Sequence, residues 1–146
     1  MTRRSGTAGS YQYAENMSRV LELARSCLED DGESQEPLLI YSFEDDVRAH
    51  NDELQESLGV EFGQYWRSVT EKLDKSFGKS LSEDGVEETF WVPMCGVGGV
   101  SSWDTDQGRL WVGYSHEDRE LPYLLMVGKC TYSQIKTKAA RVQRTT

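Results

Sequence analysis

The sequence predicts an α+β fold, in which N-terminal helices pack on a small, mainly antiparallel sheet. Apolar residues in the N-terminal half recur with the helical period, whereas from residue 89 onward they alternate with the period of a strand. The 146 residues, 37% of them hydrophobic, suffice for one core but not for two independent domains. Helices followed by strands, without regular alternation between them, are typical of α+β folds.

The N-terminal third contains one predicted helix and one predicted strand. Residues 1–10 are polar and rich in Gly, Ser and Thr, so we expect a disordered basic arm there. A helix is predicted from Tyr13 to Leu28, because its apolar residues form a single stripe. Residues 29–37 have no periodicity and end in a proline, which predicts an exposed acidic loop. The apolar run 38–43 then predicts a buried strand.

Two further helices are predicted in the middle of the chain. The first covers residues 44–58, with Ser42 and Asp45 spaced as a capping box and Gly59 as its stop. The second ends before Gly78 and carries the strongest apolar stripe of the sequence, formed by Phe62, Trp66, Val69, Leu73 and Phe77. Such an aromatic stripe is typical of a core-facing helix.

The C-terminal half is predicted to form strands at 89–94, 109–114 and 123–127. The glycines of 96–99 indicate a turn, and residues 104–108 a hairpin turn in which Gly108 takes a positive φ. Residues 134–146 carry only basic charges and are interpreted as a tail. The predicted organisation is therefore an arm over 1–10, one domain over 11–133 and a basic tail over 134–146.

Charge is unevenly distributed along the chain. The net charge is −9, but all 25 carboxylates lie between residues 11 and 133 with ten of the sixteen lysines and arginines, so this body carries −15. The stretch from Glu29 to Glu61 holds twelve acids and only Arg48 as a base. Such a field repels nucleic acid, except at the two basic ends, and attracts basic proteins. A solvated face that only maintains solubility has the same composition.

The acidic stretch predicts a small protein-binding module that inhibits a basic, nucleic-acid-acting protein, such as a nuclease toxin or a defence effector, by nucleic-acid mimicry. Carboxylates would pair with the lysines and arginines that normally contact phosphate. This describes an immunity protein or a phage-type inhibitor, and it needs no cofactor. The six residues predicted to bind the partner are Glu44, Asp45, Asp46, Asp52, Glu53 and Glu56.

An alternative is a cysteine-dependent hydrolase or transferase. Cys95 ends a predicted strand and precedes glycines whose N–H groups could approach an oxyanion. His116 would act as the base, with Glu117 or Asp118 orienting it. A second alternative is a structural subunit of a larger assembly, whose basic ends become ordered only on a neighbour.

The remaining cysteines and histidines do not predict a metal site. No CxxC or HxxxH spacing occurs, and Cys27 and Cys130 are interpreted as small buried hydrophobes. The absence of a secretory signal or an apolar span predicts a cytoplasmic protein.

Two motifs resemble the SUKH superfamily of bacterial immunity and viral proteins. The segment ELQESLGVEFGQYW is similar to that family's opening, in which an aromatic residue follows Leu-Gly, and WVPMCGVGG…SSWD…GRLWVGYSHED is similar to its strand, Gly-rich turn, aspartate and His/Asp ending. The resemblance spans Leu54 to Asp118. It implies an α+β fold and neutralisation of a toxin by direct binding, with no catalytic residue.

Overall fold

The computed structural model describes residues 9–84, 92–94 and 96–136, which form an α+β fold with helices on one face of an antiparallel sheet. The sheet has six strands in the order β1-β2-β6-β5-β4-β3, and each pairing is antiparallel. The strands are β1 (Gly9–Gln12), β2 (Ser34–Phe43), β3 (Leu81–Asp84), β4 (Val97–Thr105), β5 (Gly108–Ser115) and β6 (Tyr123–Cys130). The predicted fold class is therefore confirmed.

The helices occupy the N-terminal half, as predicted. A 3₁₀ helix over Ala14–Arg19 leads into α1 (Val20–Glu29), and α2 (Asp46–Ala49) precedes the long α3 (Asp52–Phe77). The first part of the predicted 13–28 helix is thus 3₁₀ rather than α. A helical turn over 132–136 follows the last strand, so residues 134–136, assigned to the basic tail, are helical.

The predicted stop at Gly59 is wrong, because α3 runs through this glycine without interruption. The break lies earlier, where Asn51 caps α3 by accepting the amide of Leu54 at 2.9 Å. Glycine inside a helix costs about 1 kcal/mol relative to alanine. Here Leu58 and Phe62, one helical turn apart on either side of Gly59, are both buried against the core and offset that cost. The N-cap of α2 is Asp45, whose side chain accepts the amide of Arg48, and not Ser42.

Several strand boundaries also differ from the prediction. Gly9 and Ser10, assigned to the arm, begin β1, and residues 34–37, assigned to a loop, begin β2. Pro37 is tolerated because β1 pairs only with the last four residues of β2, so this half of β2 is a sheet edge. Its carbonyl accepts Asn16 Nδ2 at 2.7 Å.

The predicted strand at 89–94 is wrong over 92–94, which are irregular, and its first three residues lie outside the described part of the chain. The predicted turn over 96–99 is wrong from Val97 onward, where β4 begins. A Cβ on Gly98 would lie 2.6 Å from the ring of Tyr114, and one on Gly99 would lie 2.8 Å from the ring of Trp66. These glycines are therefore strand positions that aromatic rings cover. The hairpin at Gly108 is confirmed, with φ of 134°.

The main core lies between the sheet and helices α1 and α3. Leu110 and Val112 of β5 and Leu125 and Val127 of β6 are fully buried on this helix-facing side. Because side chains alternate along a strand, Trp111, Leu124 and Met126 point to the opposite, outer face. There a smaller cluster forms around Trp111 and includes Ile135 of the last helical turn.

Among the described helices, none combines the length and the apolar composition needed to cross a membrane.

Candidate functional site

The structure divides the acidic stretch 29–61 between two ends of the molecule. Glu29 to Glu33 precede β2, whereas Glu44 and the acids after it follow β2. Because β2 has ten residues, these two groups lie about 30 Å apart, at about 3.3 Å per strand residue. The stretch is therefore not one surface, and the six predicted binding residues all belong to the second group.

A second segment of the chain brings further carboxylates to that end. The loop over 116–122 joins β5 to β6, and its tip contacts the start of α3. We call the resulting surface the acidic pole. It consists of nine exposed carboxylates, Glu44, Asp45, Asp46, Asp52, Glu53, Glu56, Glu117, Asp118 and Glu120. The last three were not predicted as binding residues, because only the pairing of β5 with β6 places their loop beside α3.

The arginines in the described part of the pole are already engaged with its carboxylates. Arg119 forms an ion pair with Asp52, and Arg48 lies 3.9 Å from Glu44. His50 Nε2 lies 3.0 Å from Glu120. Ion pairs this exposed contribute only about 0 to 1 kcal/mol each, so a partner could exchange them for its own cations at little cost.

The six predicted residues are not equivalent in the structure. Asp45 caps α2, accepting the amide of Arg48 at 2.9 Å, and its replacement would therefore disturb the local fold. Asp46, Glu53 and Glu56 are exposed, and the last two line a shallow groove along α3. The exposed Val60 lies in the same groove.

The groove is bounded by Glu61, whose carboxylate is held by two tyrosines. Tyr11 donates to Oε1 at 2.7 Å and Tyr65 donates to Oε2 at 3.0 Å. Burial and the hydrogen bond to Glu61 raise the pKa of Tyr11, so its hydroxyl remains a donor at neutral pH. This contact ties β1 to α3 beside the acidic pole.

Gln55 is the residue that holds the two segments of the pole together. Its Nε2 donates to the carbonyls of Ala49 at 2.6 Å and Arg119 at 3.1 Å. Its backbone carbonyl oxygen and its Oε1 lie 3.0 and 3.1 Å from the Tyr123 hydroxyl, and both accept the single proton of that hydroxyl. One amide side chain thus connects α2, α3, the 116–122 loop and β6, a role that no sequence pattern indicated.

His116 lies at the base of the same loop. Its ring stacks on Tyr123, with centroids 3.8 Å apart, and lies 6.1 Å from Phe43. Burial lowers its pKa, although backbone hydrogen bonds to Leu121 and Arg119 oppose the shift. Its Nε2 is buried without a hydrogen-bond partner among the described residues. The ring is therefore held neutral at neutral pH.

We expect His116 to make stability depend on pH. Because its folded-state pKa is below the unfolded value, its contribution is complete above pH about 6.5 and declines as the pH falls from there through the folded pKa. His116→Phe keeps an aromatic ring on Tyr123 but cannot be protonated. Urea unfolding at pH 7.5 and 5.0 should show a smaller loss of stability for this variant than for the native protein, with exposed His50→Gln as control. Equal losses in all three proteins would contradict the prediction.

The structure describes His116 but not Cys95, the two residues of the catalytic alternative. Cys95 lies outside the described residues, so its pairing with His116 stays a prediction. Cys27 and Cys130 are buried, as predicted, and burial raises the pKa of the Cys27 thiol. No group of three His, Cys, Asp or Glu side chains in the described ranges is placed to hold a metal ion.

No protein-family model, curated protein or solved structure matches this chain. The resemblance to the SUKH superfamily therefore stays a prediction.

Proposed function

We propose that the protein binds a basic, nucleic-acid-acting protein of the cytoplasm through the acidic pole and occludes its cationic surface. The observation that carries the proposal is that two separate chain segments converge on one end of the fold and present nine exposed carboxylates against two arginines. An immunity protein or an anti-defence inhibitor acts in this way.

The arrangement favours recognition of a phosphate-binding surface. The carboxylates lie on α2 and the two residues before it, on the first turns of α3 and on the 116–122 loop, so they form a broad face rather than a cation-binding cage. Arginines that grip phosphate bidentately can grip carboxylates in the same geometry. Long-range attraction would accelerate the encounter, and the preformed contacts of Gln55 would keep the loop in place when the partner docks.

Removing charge from this pole should slow association. The test variant combines Asp46→Asn, Glu53→Gln and Glu56→Gln, three exposed residues that cap no helix. With the partner captured from host lysate and then purified, we expect the association rate at low salt to fall about tenfold and its salt dependence to flatten. The dissociation rate should change less.

The far acidic cluster supplies a matched control. Glu29→Gln, Asp30→Asn and Asp31→Asn remove the same charge from the other end of β2. This variant should retain nearly native association kinetics. Equal slowing by the two variants would show that only net charge matters, and unchanged binding in both would contradict the proposal.

A further inference from the structure

The outer face of the sheet carries a pocket next to the acidic pole. Leu124 and Met126 of β6 form its floor, and Ser115 ends β5 beside them. Its volume is about 270 Å³. Six apolar residues line it, namely Pro93, Met94, Leu121, Pro122, Leu124 and Met126.

The rim of this pocket belongs to the acidic loop. Glu117 lines the pocket and is exposed, and Asp118 and Glu120 follow it on the same loop. The rim also includes Gln35, but no lysine, arginine or histidine contributes to the described lining. The pocket therefore combines an apolar floor with a negative edge that is continuous with the acidic pole.

These features define the chemistry of an occupant. An apolar floor binds a large apolar side chain, and flexible methionines such as Met94 and Met126 adapt to its shape. A carboxylate at the rim favours cations directly beside that side chain. In protein interfaces, one such buried anchor commonly supplies much of the binding energy, while the surrounding charges steer the encounter.

We infer that this pocket receives one large apolar side chain from a lysine- or arginine-rich segment of the partner protein. The inference rests on the proposed function, because it assigns the anchor of the same basic partner. It also gives the two surfaces different roles in binding. The acidic pole sets the association rate, and the pocket sets the dissociation rate.

Two synthetic peptides test the pocket without knowledge of the natural partner. KGKWKGK carries a tryptophan between lysines, and KGKGKGK carries the same charge without an anchor. In protein labelled with ¹³C at the methionine methyls, Met94 and Met126 report on the pocket, whereas Met17 packs in the helix-facing core. We expect KGKWKGK to bind at least about tenfold more tightly and to shift Met94 and Met126 but not Met17.

A filled pocket provides the complementary variant. Leu124→Trp places a large side chain in the pocket and should remove the preference for KGKWKGK. Leu81→Trp makes the same change at an exposed residue of β3, outside the pocket lining, and should retain the preference. The charge-removal variant Asp46→Asn/Glu53→Gln/Glu56→Gln should weaken both peptides alike.

The outcomes separate this inference from the proposed function. Equal binding of both peptides, with shifts in the amides of the acidic pole and none in Met94 or Met126, would overturn the pocket and leave the proposed function standing. Failure of both peptides to bind at millimolar concentration would overturn both. If the methyl resonances of Met94 and Met126 shifted with protein concentration in the absence of peptide, a second copy of the chain would be the occupant. That result would overturn the inference.

Discussion

Phe62→Ala is expected to destabilise the fold by about 4 kcal/mol, within the range for truncating a buried phenylalanine. The Phe62 side chain is fully buried. Its ring lies 5.4 Å from that of Tyr123 and 6.0 Å from that of Tyr65, so truncation opens a cavity between α3 and β6. Since a domain of this size is stable by about 5 to 15 kcal/mol, a large share of the total would be lost.

The measurement is equilibrium urea unfolding, with Val60→Ala as the matched control on the same helix. Val60 is 59% exposed, and its truncation should cost no more than about 0.5 kcal/mol. Phe62→Ala should also loosen the acidic pole, because Tyr123 packs on Phe62 and donates to Gln55. A cost below about 1 kcal/mol for Phe62→Ala would show that the core collapses around the site.

The long helix illustrates what the sequence made predictable. The stripe from Phe62 to Phe77 was sufficient to predict the buried face of α3 and its end at Gly78, because both depend on local spacing. The start of the helix was predicted incorrectly, since a glycine can either end a helix or lie within one. Which of these holds at Gly59 depends on whether the residues around it pack on the sheet.

Strand β4 shows the opposite case. Its glycines resembled a turn, yet they lie in a strand because the rings of Trp66 and Tyr114 occupy the space of their missing side chains. That requirement comes from residues far away in the sequence. The acidic pole also depends on contacts between distant parts of the chain. The acids near α3 were predicted to bind a partner, but Glu117 and its neighbours were not.

Lys129 is the second residue whose loss should be costly, and its burial was not predicted. It lies on β6 with 2% of its surface exposed. Its ammonium group donates to the carbonyl of Leu28 at 3.3 Å and to the carbonyl of Asp30. These carbonyls lie at and just beyond the end of α1, where helix geometry leaves acceptors unpaired and favours a positive charge.

Lys129→Ala is expected to lower the free energy of unfolding by about 3 kcal/mol, because it removes the packed stem and leaves two acceptors without their donor. Lys129→Met keeps most of the stem and should cost about 1.5 kcal/mol, the part due to the lost hydrogen bonds. Urea unfolding measures both, and faster amide exchange at the end of α1 should accompany each variant. If Lys129→Met were as stable as the native protein, the cost of burying the ammonium group would equal the stability that its hydrogen bonds contribute. Lys129 would then stabilise the fold only through the packing of its aliphatic stem.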